Sequence, residues 1–356
     1  MSILFVHNPM LNIILYLKPF LIAFVLSIIL TKVIIKIVGR YKSNVELKEG
    51  KYHKGGVVRY GGAAIILSFL AVILFIGMLE FDSLKWGIVF SSLFILIFGI
   101  CDDINNLSWK KQLIMQFIVV VIMIYAGLSV DYIANPFGGS EFRLDQFQFS
   151  LFGSQFSLFG SLFILFWIVG FMNVMNWLDG LDGLAGGVGL IGSITLFIIS
   201  ISSLVNQPPL GIMTIILAGS ILGFLVYNIH PAKIFMGTSG SMFLGFILAV
   251  LAIFSGGKIA TALLVMGFPI LDAVWVIAER IRAGVSPFKG DVRHLHYKLL
   301  ERGWSQEKVV LFAYSICGIF GTIAILFQSM GKVVALLALF LIMISVVVYQ
   351  SLRKQA

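Results

Sequence analysis

Two adjacent aspartates, Asp102 and Asp103, follow an apolar run and lead into Ile-Asn-Asn-Leu107. Neighbouring carboxylates repel each other and are costly to keep ionised beside lipid unless a cation or donor compensates. The pair therefore points to a divalent metal, the plain alternative being two solvated acids at a helix end. A second group, Asn173, Asn176, Asp179 and Asp182, repeats every three residues, a spacing that sets side chains along one helix face. Gly180 and Gly183 follow its two aspartates and free the backbone to turn or to approach a ligand closely. An Asx-rich turn ending a helix is the competing explanation. Hard oxygen donors with few sulfur or imidazole competitors favour Mg²⁺, with Mn²⁺ as a substitute, over Zn²⁺.

Three more segments carry chemistry-bearing residues. Gly237-Thr238-Ser239-Gly240-Ser241 opens an apolar run, and backbone N–H groups at such a helix start suit phosphate, although Gly/Ser clusters are also ordinary turns. Arg293-His294-Leu-His296 with Lys298 offers cations for a pyrophosphate and imidazoles for protons. The stretch from Lys51 through His53 and Arg59 to Gly61-Gly62 is basic and glycine-rich. Asp272, after Pro269 in an apolar run, is either a functional intramembrane acid or a tie between helices.

The elements that must position these residues are membrane helices. Of 356 residues, 60% are hydrophobic and 12% charged, half the charged share of an ordinary soluble protein, about 25%. Apolar runs near 19–38, 61–79, 87–100, 113–130, 161–175, 185–204, 210–228, 241–254, 258–278, 309–328 and 332–350 predict an all-α polytopic integral membrane protein of about eleven transmembrane helices. They leave no room for a sizeable extramembrane domain, so residues 1–356 read as one membrane domain. The first run is too long for a signal-peptide core and reads as an anchor helix. Eleven spans leave only Lys18, Lys85, Arg143, Lys258 and Lys332, of 25 Lys+Arg, on one side; this predicts an external N-terminus, a cytoplasmic C-terminus and a cytoplasmic site. The net charge of +9 thus reflects sidedness, and nucleic acid is not implied. Glu141–Ser150, in the long external loop, alternates polar and apolar residues and predicts a short β-hairpin or an interfacial segment. Two cysteines, Cys101 and Cys317, indicate no disulfide framework.

From His53 to Lys298 the chain resembles the polyprenyl-phosphate N-acetylhexosamine-1-phosphate transferases, membrane enzymes that start glycan and cell-wall polymer assembly. The resemblance rests on Asp102-Asp103 followed by Leu107 and Gln116, on Asn173 to Gly187, on Tyr227-Asn228 through Pro231-Ala232-Lys233-Ile-Phe-Met-Gly237 to Gly240-Ser241, and on His294-Leu-His296. Arg59 before Gly61-Gly62, with eleven spans, resembles the branch using UDP-GlcNAc more than the one using UDP-MurNAc-pentapeptide.

The resemblance implies transfer of N-acetylhexosamine-1-phosphate from a UDP-sugar to undecaprenyl phosphate with Mg²⁺, releasing UMP at the cytoplasmic membrane. It implies Asp102, Asp103, Asp179, His294 and His296 as catalytic residues, and His53, Arg59, Lys111, Asn173, Asn176, Asp182, Gly240, Ser241 and Arg293 as substrate-binding ones. Asp102, Asp103, Asn176, Asp179 and Thr238 would be the metal ligands, and a homodimer is compatible with it. Three departures stand out: the family pattern has Asp at Thr238, a histidine at Tyr297 and often Lys at Gln112. Thr238 motivates a competing reading, a weakened homologue that carries or scaffolds prenyl phosphate or UDP-sugar. A transporter using Asp272 and Asp179 fits less well, because transporter sites lie near the bilayer midplane.

Overall fold

A computed structural model describes residues 9–38, 57–77, 79, 82–135, 137–151, 154–203, 205–255, 259–286 and 293–352. Its elements run α1 (Pro9–Val38), α2 (Gly61–Phe75), α3 (Ser83–Asn105), α4 (Trp109–Tyr125), β1 (Tyr132–Ile133), β2 (Phe142–Arg143), β3 (Gln148–Leu151), β4 (Ser154–Ser157), α5 (Leu158–Leu178), α6 (Leu184–Ile201), α7 (Pro208–Asn228), α8 (Gly237–Phe254), α9 (Ile259–Val265), α10 (Gly267–Arg282), α11 (Leu295–Glu301), α12 (Gln306–Leu326) and α13 (Ser329–Leu352).

Every apolar run predicted to span the membrane falls on a helix. Among the described residues, seven helices are long and apolar enough to cross a bilayer, and α9 with α10 forms an eighth candidate bent by 77°. The protein is an all-α polytopic membrane protein. The ninth run, predicted as one span, breaks at Met266, and Pro269 enters three residues later with no N–H to offer the helix. The segment predicted to be external forms two small antiparallel ribbons, β1 with β2 and β3 with β4 in the register Gln148↔Ser157 and Leu151↔Ser154. The predicted Glu141–Ser150 hairpin is therefore divided, its halves pairing with residues outside it.

Helix α8 is the centre of the bundle: every residue from Gly237 to Ile253 is buried. Lipid tails are as apolar as the helices, so association depends on close backbone approach and buried hydrogen bonds. Small residues supply the approach. A Cβ on Gly62 of α2 would collide with the Gly240 backbone, one on Gly99 of α3 with Ser239, and one on Gly245 with Phe171 of α5. Trp167 Nε1 donates to the Ala249 carbonyl at 3.0 Å, and Ser27 Oγ to the Ser220 carbonyl at 2.6 Å, tying α5 to α8 and α1 to α7. Large apolar side chains on the outer faces, such as Val25, Phe90, Ile114 and Phe166, are exposed and suit lipid.

Candidate active site

Asp102 and Asp103 occupy the last turn of α3, 0% and 5% exposed. Asn106 caps that helix in the left-handed conformation, φ 48°, which turns the chain back toward α4. Asp102 Oδ1 then accepts the Leu107 N–H at 2.9 Å and Gln112 Nε2 at 2.9 Å, while Oδ2 accepts the Thr238 hydroxyl at 2.7 Å. Asp103 receives the Thr238 N–H at 3.0 and 3.1 Å on its two oxygens. A single threonine at the start of α8 thus serves both carboxylates. Gly237 makes this contact feasible: its φ is +74°, and a side chain there would strike Asp103 and the Arg59 carbonyl.

The helix start expected to suit phosphate is engaged within the protein. The first turn of α8 faces the Asp103 carboxylate, which takes the favourable position for an anion at a helix N-terminus. Gly240 is packed against Gly62 rather than lining an opening, so its role is the approach of α2 to α8. Ser241 Oγ does reach the site, donating to Asn176 Oδ1 at 3.0 Å.

The predicted stripe from Asn173 to Asp182 holds over its first part. Helix α5 ends at Leu178 with Asp179 as its C-cap, so only Asn173 and Asn176 lie on helix proper. Asn173 exchanges hydrogen bonds with Gln116 of α4 at 2.9 and 3.3 Å and donates to the Val169 carbonyl. Asp182 lies beyond the helix end, where Oδ2 is 2.7 Å from His230 Nδ1 and accepts the Ala232 N–H at 3.1 Å. It joins the post-α5 turn to the loop before α8. Asn228 makes the same connection, accepting from the Gly183 N–H and donating to the Ile234 carbonyl.

The histidine segment arrives over Gly180, where a Cβ would lie 2.6 Å from both His296 Nε2 and the Tyr297 hydroxyl. Here glycine is required by proximity, which brings His296 and Tyr297 beside Asp179. His294 and His296 are stacked, centroids 5.6 Å apart and rings 12° from parallel, and His294 lies 6.0 Å from the Trp177 ring. The buried Arg280 guanidinium lies 5.7 Å from the Trp177 ring centroid.

Residues 57–60 close another side. Val58 bridges Ile234 in parallel, and the Gly61 and Gly62 N–H groups donate to the Phe235 and Met236 carbonyls at 2.9 and 2.8 Å. Arg59 is 8% exposed, and its Nη2 is buried with no hydrogen-bond partner among the described residues. Burial raises the Tyr60 phenol above its usual pKa, and the Asp103 charge adds to the rise. Lys111 is exposed in the first turn of α4, and Arg293 immediately precedes the buried His294. His53 lies outside the described residues.

Of the residues expected to hold a metal, Asp102, Asp103 and Thr238 are joined by hydrogen bonds. Among the described residues no group of three or more acidic, histidine or cysteine side chains is placed to hold an ion. The donors are of the right chemistry, but Asp182 belongs to His230 and Ala232, and Asp102 is already hydrogen-bonded through both oxygens. From sequence, Gln112 and Asn228 enter only as positions of the family pattern, and Tyr60 is not named as a site residue. The available signal for Gln112 was its spacing four before Gln116, one helical turn on the face that carries the amide pair with Asn173.

Comparison with known proteins identifies the family. A sequence profile of glycosyl transferase family 4 matches residues 85–256, from α3 to α8. The chain is 31% identical over 333 residues to the probable undecaprenyl-phosphate N-acetylglucosaminyl 1-phosphate transferase of Bacillus subtilis, covering 91% of this chain and 89% of that protein. It is 31% identical over 336 residues to a phospho-N-acetylmuramoyl-pentapeptide-transferase of Staphylococcus aureus, covering 86% of this chain and 97% of that protein. A decaprenyl-phosphate N-acetylglucosaminephosphotransferase of Mycobacterium leprae shares 43% identity over 138 residues, 33% of this chain and 35% of that protein. Similarity that spans nearly the full length of two relatives, with a family match over residues 85–256, the stretch in which Asp102 and Asp103 lie, shows that the chain belongs to glycosyl transferase family 4.

Proposed function

We propose that this protein is a multi-pass enzyme of the cytoplasmic membrane that transfers GlcNAc-1-phosphate from UDP-GlcNAc to undecaprenyl phosphate. The observation that carries the reading is the buried Asp102–Asp103 pair, joined through Thr238, Ser241 and Asn176 to the end of α5 and so to the histidine segment. A phosphate oxygen of the prenyl acceptor attacks the sugar-bearing phosphorus of the donor, the bond to the bridging oxygen breaks, and UMP departs with that oxygen. Positioning and charge stabilisation dominate such transfers.

In this reading Asp102, supported by Asp103, orients and activates the acceptor phosphate. Asn176 and Asp179 meet the nucleotide sugar, and His294 and His296 contact the diphosphate. The buried Arg59 Nη2 favours an anion nearby, since an unmade buried donor costs about 1–3 kcal/mol. An ion such as Mg²⁺ or Mn²⁺ would help neutralise the diphosphate, and with so few protein carboxylates converging it would draw its remaining ligands from the donor.

Eleven spans with an external N-terminus, and a homodimer, are part of the proposal. Mass photometry in detergent checks the dimer. The activity is tested by incubating purified protein with undecaprenyl phosphate, Mg²⁺ and a panel of UDP-sugars while UMP is assayed. UDP-GlcNAc is expected to turn over fastest. A faster reaction with UDP-MurNAc-pentapeptide reverses the choice of donor, and binding without UMP release from any donor favours the carrier reading.

A further inference from the structure

Asp272, left open by the sequence as either a functional acid or a helix tie, has both carboxylate oxygens engaged by one short segment. Oδ2 lies 2.8 Å from His294 Nδ1, and Oδ1 accepts the Leu295 N–H at 2.7 Å. Carboxylate and ring are each 5% exposed, so the contact is sheltered from water. His294 is the N-cap of α11, which means one side chain of α10 fixes the imidazole and the first amide of the helix that carries His296. The opposite ring nitrogen, Nε2, is then the one through which His294 can meet a substrate.

We propose that Asp272 is a positioning residue that holds His294 as the Nδ1–H tautomer and directs Nε2 toward the transferred diphosphate. An ionised carboxylate only accepts hydrogen bonds, so a neutral ring facing Oδ2 must keep its proton on Nδ1. The second nitrogen is thereby left as an acceptor, the arrangement by which a buried carboxylate orients a working histidine. Asparagine at 272 reverses this logic. Its single oxygen is claimed by the Leu295 N–H, so its NH₂ faces Nδ1, which becomes the acceptor and sends the proton to Nε2.

Docking of α11 alone is a separate matter, and the structure supplies its control. Two helical turns after Asp272, Glu279 accepts Lys298 Nζ at 2.9 and 3.0 Å, clamping the same helix without touching a histidine. A purely structural Asp272 predicts that Glu279→Gln and Asp272→Asn act alike.

The role in transfer rests on the phosphotransfer reading, but the tautomer does not. The full-length protein has five histidines, so ¹⁵N-histidine labelling in nanodiscs, with His294→Gln for assignment, resolves the His294 ring. Spectra recorded with the ring neutral are expected to show Nδ1–H in the native protein and in Asp272→Glu, and Nε2–H in Asp272→Asn. In parallel, kcat of Asp272→Asn should fall by about 10²-fold or more, the scale of a lost proton-handling group, with KM changed only a few-fold and Glu279→Gln near native. Nε2–H in the native protein, an unchanged tautomer in Asp272→Asn, or equal kcat losses in the two variants would overturn the proposal. If Asp272→Asn does not fold, loss of Nδ1–H in Asp272→Glu overturns it instead, and retention of Nδ1–H with partial activity supports it. Absence of UMP release from the native protein would sink the phosphotransfer reading and with it the catalytic half, while the spectra still decide whether Asp272 sets the ring.

Discussion

Asp102 is held by two neutral side chains, Gln112 on one oxygen and Thr238 on the other. These are two of the positions at which the chain departs from the family pattern, which has a cation at the first and a carboxylate at the second. Both residues touch the same carboxylate, and relative to the pattern the chain resembles, Gln in place of Lys and Thr in place of Asp leave the net charge around it unaltered. A carboxylate restored at 238 would stand within hydrogen-bonding reach of Asp102, and two like charges so close need a cation between them. Thr238→Asp is therefore expected to lower the Mg²⁺ concentration for half-maximal UMP release. Adding Gln112→Lys should offset part of the new repulsion, giving a coupling of about 0.5–3 kcal/mol in a double-mutant cycle on activity. A metal requirement identical in native and Thr238→Asp proteins would refute this account. Asp102→Asn and Asp179→Asn test the acids directly, with an expected loss of at least about 10²-fold in lipid-linked product from folded protein. Near-native turnover in either would remove that residue from the mechanism. The linkage of Gln112 to Thr238 was not legible in the sequence, because the two are 126 positions apart and only helix packing makes them neighbours.

At the level of the elements, the site stands where it does because α2, α3 and α5 meet α8 through residues without bulk. Gly62→Ala would press a methyl group into the Gly240 backbone, which cannot yield as a flexible side chain does. Overpacking of this kind costs about 1–3 kcal/mol, read as a lower Tm in detergent, and it should also reduce activity by moving Thr238. Gly318→Ala in α12, where nothing lies within 4 Å of the added atom, serves as the opposite case and should be neutral or stabilising. Equal Tm values for the two variants would contradict the close-packing argument. The helices themselves were legible, since long apolar runs bounded by Gly, Pro and charge report the bilayer directly. Their interruptions were not. The apolar character of residues 259–276 continues across Met266, so composition could not reveal the 77° break between α9 and α10. The three-residue repeat from Asn173 likewise ran past Leu178, because spacing alone does not register a helix end that Gly180 and the incoming His296 impose. Between α4 and α5 the alternation of Glu141–Ser150 correctly indicated strand, but pairing partners are set by turns beyond it.

Across the whole molecule, the candidate site residues gather at one end of the helix bundle. The last turn of α3, the first turns of α4 and α8, the end of α5 and the segment leading into α11 all lie there, whereas the two β-ribbons close the other end between α4 and α5. This separation is what a reaction between a water-soluble nucleotide sugar and a membrane-embedded prenyl phosphate requires: both reactants meet at one interface, and the lipid tail stays among apolar helix faces. The positive-inside rule predicts that this end faces the cytoplasm, because Arg59, Lys111, Lys233, Arg280, Arg293 and Lys298 all accompany the site. The assignment has a direct consequence for accessibility. In a variant lacking Cys101 and Cys317, a cysteine at Ser286, just after α10, should resist a membrane-impermeant thiol reagent in intact cells and react once the membrane is opened. A cysteine at Ser140, between β1 and β2, should react in intact cells without permeabilisation. Reversed labelling would place the acidic pair outside, where no UDP-sugar made in the cytoplasm could reach it, and would overturn the orientation together with the proposed reaction.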